Sequence, residues 1–191
     1  MTTLAVVKKN GVVAIAADTL TKWGPAKESA DYVVNHDKIL RIGDSLLAIT
    51  GSATFKMITA EYFNDIGTVR LDTVGNIFKV WHALHGALKD RYFLNPEEDK
   101  EDELESSRMD VLIANPHGIF GVAAHRTVQE YSKFYALGSG GDYALGALFS
   151  SYGDPAKSAE DLARHAIVAA AEFDDGTALP VLSHSIKLIA K

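Results

Sequence analysis

Apolar runs of strand length crowd the two ends of the chain and frame a middle stretch whose apolar residues recur at helical spacing. Leu4 to Lys8 and Val12 to Ala17 are two short β-prone runs joined through Asn10-Gly11. Both turn residues tolerate positive φ, so the pattern predicts a tight hairpin. Tyr32 to Ile42 and Leu46 to Thr50 read as a second strand pair around Gly43-Asp44. Gly51-Ser52 ends that pair, and Ser52 is placed to cap a helix. Helical periods then cover roughly 53–66 and 73–92, the second carried by Val74, Ile77, Phe78, Trp81, Leu84, Leu88 and Tyr92.

Strands return at Val111 to Ala114 and Ile119 to Ala123 across the turn Asn115-Pro116-His117-Gly118, and again at about Glu130 to Leu137. Gly138-Ser139-Gly140-Gly141 leads into a helix from about Asp142 to Ser151, Ser158 caps another reaching about Phe173, and Val181 to Ile189 closes the chain as a strand. The order strands, two helices, strands, two helices, strand predicts an α+β fold. Two antiparallel sheets between helix layers, a four-layer αββα sandwich, accommodate it better than alternating βαβ units, which the hairpin signals contradict. With 191 residues, 47% of them hydrophobic, and no internal repeat or linker, residues 1–191 are expected to form a single domain.

Charge narrows the function. A net charge of −6 argues against nucleic acid or an anionic membrane as a partner, since both are engaged by an excess of Lys and Arg. The absence of cysteine excludes a disulfide framework, a thiolate nucleophile and a zinc-thiolate site. Lys8, Lys9 and Asn10 interrupt the early apolar run, leaving Val12 to Ala17 too short for a secretory core or a membrane span. The expected setting is soluble and cytoplasmic. The acidic stretch Asn95 to Ser107, with Lys100 alone opposing seven carboxylates, reads as an insertion at about 95–107 forming a solvated loop or helix extension.

The chain starts Met1-Thr2-Thr3. Once Met1 is removed, Thr2 carries a hydroxyl and a free amine on adjacent atoms, and an α-amino group titrating near about 7.7 to 8.0 is partly an unprotonated base at neutral pH. Such a pair is a known way of activating a weak nucleophile. A cytosolic aminopeptidase that trims Met before small residues would expose Thr2 without a separate propeptide. Taken alone, however, Thr2 is more ordinarily a strand residue, and Asp18 and Lys38 are surface charges of little energetic weight. The glycine-rich turn at 138–141 could cradle a phosphate, but the chain lacks GxxxxGK[ST], Tyr143 occupies the last glycine position of GxGxxG, and Leu137 replaces the first glycine of GxSxG. His82 and His85 lie three apart on a predicted helix without an acidic third ligand, which favours packing over a metal. Trp23 and Trp81 likewise read as packing residues.

The TTLAVVKKNGVVAIAAD opening, the DKILRI run, AITGS, the GSGGDYALGAL turn and helix, and the late AIVAAAEFDDGT segment together resemble the proteasome β-subunit family of N-terminal nucleophile hydrolases. The resemblance covers nearly the whole chain. It is nearest to bacterial members that lack a long propeptide, HslV and the β-proteobacterial homologue BPH, and the late Asp-Asp-Gly-Thr segment favours the BPH type. It implies a threonine endopeptidase with Thr2 as nucleophile and base, Lys38 as an ammonium lowering the proton affinity of the Thr2 groups, and Asp18 holding that ammonium. It implies a backbone oxyanion donor at Gly51. Ser139, Asp174 and Thr177 match supporting groups, with threonine at 177 where serine is usual. The first specificity pocket maps onto Thr21, His36, Ile49, Ala53 and Met57, none acidic, which predicts cleavage after medium or large apolar residues. No metal or organic cofactor is implied. The implied assembly is a homo-oligomer of stacked rings, seven-membered by preference, taking peptides or unfolded proteins and using an unidentified AAA+ unfoldase for folded ones. A noncatalytic ring scaffold and a small-amide amidohydrolase of the same fold are the alternatives.

Overall fold

In the computed structural model, which describes residues 2–96 and 102–190, the opening hairpin forms as its pattern predicts. Strands β1 (Thr3–Lys9) and β2 (Val12–Ala17) pair antiparallel, with Asn10 at φ 51° and Gly11 at φ 74° between them. Two short strands, β3 (Thr21–Trp23) and β4 (Ala26–Glu28), make a second hairpin, and β5 (Ile39–Ile42) and β6 (Ser45–Ile49) a third. Helices α1 (Ala53–Ile66) and α2 (Val74–Asp90) follow, then β7 (Val111–Asn115), β8 (Gly118–Val122), β9 (Val128–Tyr131) and β10 (Phe134–Gly138). Helices α3 (Gly141–Ser151) and α4 (Ala159–Phe173) precede the last strand, β11 (Leu182–Lys187).

The strands build a four-stranded antiparallel sheet in the order β10-β1-β2-β11 and a five-stranded antiparallel sheet in the order β5-β6-β7-β8-β9. Three cores separate four layers. Leu4, Val6, Val13 and Ile15 meet Leu46, Ala48, Leu112 and Ile119 between the sheets. Ala5, Val7, Ala14 and Ala16 face α3 and α4, whereas Leu47, Ile113 and Phe120 face α1 and α2 around Trp81. Successive residues of a strand point to opposite faces, so a strand covered on both faces is apolar throughout. That is why β1, β2, β6 and β7 read as continuous apolar runs although their sheets are antiparallel. The face toward α3 and α4 is alanine-rich, with Ala144, Ala159, Ala163, Ala166 and Ala170 on the helices. Small side chains on both partners let the helix pair lie close to β1.

Helix starts follow local chemistry. Ser52 caps α1 by accepting from the Thr54 amide, Thr73 caps α2, and Ser158 with Asp161 forms a reciprocal capping box on α4.

The structure departs from the sequence pattern in four places. The strand expected from Tyr32 begins only at Ile39, where Asp37 Oδ1 accepts the Ile39 amide and turns the chain into β5; Tyr32 and Val34 are exposed. The run expected at about 130–137 is two strands in different sheets, divided at the exposed Ser132-Lys133 where the chain crosses between layers. The three-residue strands β3 and β4 are too short to show a period. In the acidic segment, residues 97–101 lie outside the described residues; residues 102–105 are irregular and exposed, as a solvated loop would be, whereas Ser106 and Ser107 are buried. Among the described residues no helix is long and apolar enough to cross a membrane.

The tight helix-sheet layer makes a direct prediction. Ala163→Leu, at a fully buried α4 position, should lower unfolding stability by about 1–3 kcal/mol through overpacking. Val168→Leu on the exposed side of α4 should leave the urea midpoint unchanged; equal midpoints for both variants would contradict the packing.

Candidate active site

Because β1 begins at Thr3, Thr2 sits at the end of a central strand, 6% exposed, its carbonyl accepting the Ser139 amide at 3.0 Å. Gly138, at φ +100°, lies directly against that carbonyl, and a Cβ there would overlap it. A glycine is therefore required where the 138–141 turn crosses the strand end.

Asp18, just past β2, is completely buried. Its Oδ1 accepts the Thr3 amide at 2.9 Å and the Lys38 ammonium at 2.8 Å; its Oδ2 accepts the amides of Leu20 at 3.0 Å and Ala178 at 3.4 Å. Lys38 is itself only 13% exposed in its side chain. Burial lowers the Lys38 pKa below that of an ordinary lysine, while the charge and hydrogen bond of Asp18 oppose the shift. Removing one member of such a pair strands the other, at a typical cost of about 3–5 kcal/mol.

A chain of hydroxyls backs the same strand end. The Gly140 amide donates to Thr3 Oγ1 at 3.0 Å, and Thr3 Oγ1 lies 2.5 Å from Thr177 Oγ1. Thr177 donates to Asp174 Oδ2 at 2.5 Å, so its one proton is spent and Thr3 supplies the proton between the two threonines. Ser139 Oγ donates to the same carboxylate oxygen at 2.7 Å. The threonine at 177 thus keeps the hydroxyl bond, and its methyl is accommodated in a buried position. Sequence reading misses Thr3, whose signal is a hydroxyl at the first position of a strand that is otherwise apolar as far as Val7. The amides of Ser139 and Gly140 are committed to Thr2 and Thr3, which argues against a phosphate cradle in this turn.

A cleft of about 300 Å³ opens at Thr2 and includes Lys38 and Gly51 in its walls. Thr21, His36, Ile49, Ala53 and Met57 all line it. Ser139, Asp174 and Thr177 are not part of its lining and bond to one another beside the strand end. Gly51 has φ +102°, and a Cβ there would stand 2.8 Å from the Arg108 carbonyl and 3.2 Å from the Phe55 ring, so only glycine fits.

The cleft is less neutral than the five mapped residues imply. Glu28, from the exposed strand β4, contributes a carboxylate, and Lys22 and Lys56 contribute cations. Lys22 pairs with Asp175 at 2.5 Å, and Lys56 donates to the backbone carbonyls of Asn35 and Asp37. Glu28 escapes sequence reading because it reaches the cleft only through the β3-β4 hairpin. Trp23, expected to pack, is 58% exposed and lines the same wall, whereas Trp81 is buried in the α1-α2 core as expected.

His82 stacks on Phe78, and the buried His85 bonds Ser107 and Glu105. Among the described residues no group of three or more His, Asp or Glu is arranged to hold a metal ion.

No protein-family model matches the chain, and no curated protein sequence does. Solved structures do. Thiobacillus denitrificans BPH in complex with epoxomicin is 60% identical, matching 98% of this chain and 100% of that one with a TM-score of 0.93. A second structure of Thiobacillus denitrificans BPH is 61% identical over 99% and 100%, with a TM-score of 0.95. Eukaryotic HslV from Trypanosoma brucei, 19% identical over 97% and 99%, has a TM-score of 0.73 and shares the fold. Identity at this level across the full length, on the αββα architecture, shows that the chain belongs to the proteasome β-subunit family, in the bacterial branch represented by BPH.

Proposed function

We propose that this chain is the threonine peptidase subunit of a self-compartmentalising ring, with Thr2 the nucleophile once Met1 is removed. The observation that carries this reading is the joint placement of Thr2 and Lys38 in one cleft, with a wholly buried Asp18 bonding both the Lys38 ammonium and the Thr3 amide. The relative solved with epoxomicin supports it.

In this reading the Thr2 hydroxyl attacks a peptide carbonyl and passes its proton to the Thr2 amine. The developing oxyanion is received at the Gly51 amide. Collapse of the tetrahedral intermediate breaks the C–N bond, the leaving amine takes the proton, and an ester remains on Thr2. The free amine then deprotonates a water that hydrolyses the ester. Lys38 lowers the proton affinity of the Thr2 groups by its charge, and Asp18 keeps that charge in place. Ser139, Thr3, Thr177 and Asp174 hold the strand end against recoil. While Met1 is attached, the Thr2 nitrogen is an amide and cannot serve as a base.

Ile49 is buried at the inner wall of the cleft, and Ala53 and Met57 flank it from α1. This favours apolar side chains before the scissile bond, with Glu28 on the exposed hairpin acting at the mouth. The assembly proposed is a cytoplasmic double ring, seven-membered by preference, fed by an AAA+ unfoldase when substrates are folded.

Two outcomes test this. The Met1-free chain should hydrolyse fluorogenic peptides, and Lys38→Ala should reduce kcat by about 100-fold or more; turnover unchanged in that variant would contradict the role of the cation. Across a panel varying the residue before the cleaved bond, leucine-, methionine- or phenylalanine-type residues should be fastest, and fastest turnover of lysine or arginine would overturn the assignment of the pocket.

A further inference from the structure

Away from the cleft, one polar cluster is buried without a part in the chemistry above. His85 on α2 is 7% exposed; its Nδ1 lies 2.9 Å from Ser107 Oγ and its Nε2 lies 3.2 Å from Glu105 Oε2. Arg126, also buried and at φ 68°, donates through Nη1 to the Glu105 carbonyl at 2.6 Å and to Ser107 Oγ at 3.4 Å. Lys89, one turn along α2, holds the Glu105 carboxylate at 2.6 and 2.8 Å. These contacts converge on residues 105–107.

The backbone from Arg108 to Asp110 links the cluster to the cleft. The Arg108 amide donates to Ser106 Oγ at 2.9 Å, and Arg108 takes φ 55°. The Arg108 carbonyl is the wall that Gly51 packs against, where a Cβ would come within 2.8 Å. Two residues on, the Asp110 carbonyl accepts the Thr50 amide at 2.9 Å, and the Asp110 amide donates to Thr50 Oγ1 at 3.2 Å. Residues 105–110 are thus held by α2 and the Arg126 turn on one side and hold residues 50–51 on the other.

We infer that His85 and Ser107 are positioning residues for Gly51, clamping the 105–110 segment so that its backbone sets the location of the glycine amide in the cleft. The catalytic meaning of that location rests on the peptidase reading; the mechanical coupling does not.

The protonation state of His85 matters to the clamp. Arg126 donates to Ser107 Oγ, and in the neutral tautomer of His85 that serves both contacts Nδ1 accepts from the Ser107 hydroxyl while Nε2 donates to Glu105. Protonating Nδ1 turns it into a donor, so the Ser107 hydroxyl must rotate to accept from it and its own proton loses this partner. Burial lowers the His85 pKa from 6.5; Glu105 opposes the shift, while the charges of Arg126 and Lys89 assist it. A histidine held neutral in the fold contributes its stability above its unfolded pKa. That contribution fades as pH falls below about 6.5 toward the lower folded value.

Hydrogen exchange read by mass spectrometry, with peptide turnover alongside, tests the coupling. Ser107→Ala and His85→Ala should speed amide exchange across residues 50–55 about tenfold, leaving residues 3–17 at the native rate. His85→Asn, which keeps an acceptor near the Nδ1 position, should restore exchange to within about threefold. The native chain, corrected for intrinsic rates, should loosen at 50–55 as pH drops below 6.5. In turnover, kcat should fall with the same ranking and KM should stay within about twofold. Faster exchange confined to 102–110, or equal loosening of 3–17, would overturn the proposal. If the native Met1-free chain showed no turnover, the peptidase reading would fail while the exchange data still decided the coupling.

Discussion

One buried carboxylate organises the working end of this molecule. Asp18 has no contact with water and accepts from the Thr3 and Leu20 amides, the Ala178 amide and the Lys38 ammonium. Those donors come from the first strand, the segment after the second, the loop after α4 and the loop before β5. A buried anion is tolerable only when its oxygens are satisfied, so the four segments are constrained to meet. Removing Lys38 leaves a charge with amides alone around it, and removing Asp18 leaves a buried ammonium. The geometry at Thr2 arises from an electrostatic requirement that the surrounding chain must meet.

Steric constraints complete the arrangement. A Cβ at Gly140 would approach Thr3 Oγ1 to 2.6 Å and the Ala170 methyl to 2.8 Å, so the turn can cross the strand end only as glycine. Ala170 in turn belongs to the small-residue layer between β1 and the helices. The features that bring α3 and α4 close to the sheet also bring Ser139 and Asp174 to the strand terminus. Stability and site geometry are coupled through the same small residues. The Ser139 and Gly140 amides of this turn are spent on the strand end and are not offered to an anion.

Much of the fold is legible in the sequence because strands covered on both faces leave unbroken apolar runs, and because Asn10-Gly11, Ser52 and Ser158 mark turns and caps by local chemistry. The order of strand and helix pairs then points to two sheets between helix layers. What stays hidden depends on tertiary context. Nothing in the stretch from Glu130 to Leu137 signals that Tyr131 and Phe134 belong to different sheets, since both halves are β-prone. Tyr32 and Val34 look like strand residues, yet among the described residues no strand pairs with them. For the site, Asp18, Lys38 and Gly51 are found through the family pattern and not through spacing alone. Thr3 and Glu28 escape notice, and Trp23 reads as a packing residue, because their parts arise from a hydroxyl relay and a hairpin with no periodic signature. In the acidic segment, composition argues for solvation, but Ser106 and Ser107 are buried by bonds to groups that include the sequence-distant His85 and the nearby Arg108 amide.

The central claim is that the buried Asp18-Lys38 pair and the strand end present Thr2 as an amine-activated nucleophile. Intact mass spectrometry of the Met1-free chain after exposure to a peptide epoxyketone tests it most directly, because that adduct consumes both the hydroxyl and the free amine of one residue. A mass increase of one inhibitor per chain is expected, located at Thr2 and lost in Thr2→Ala. A chain lacking Met1 that never forms the adduct would contradict it.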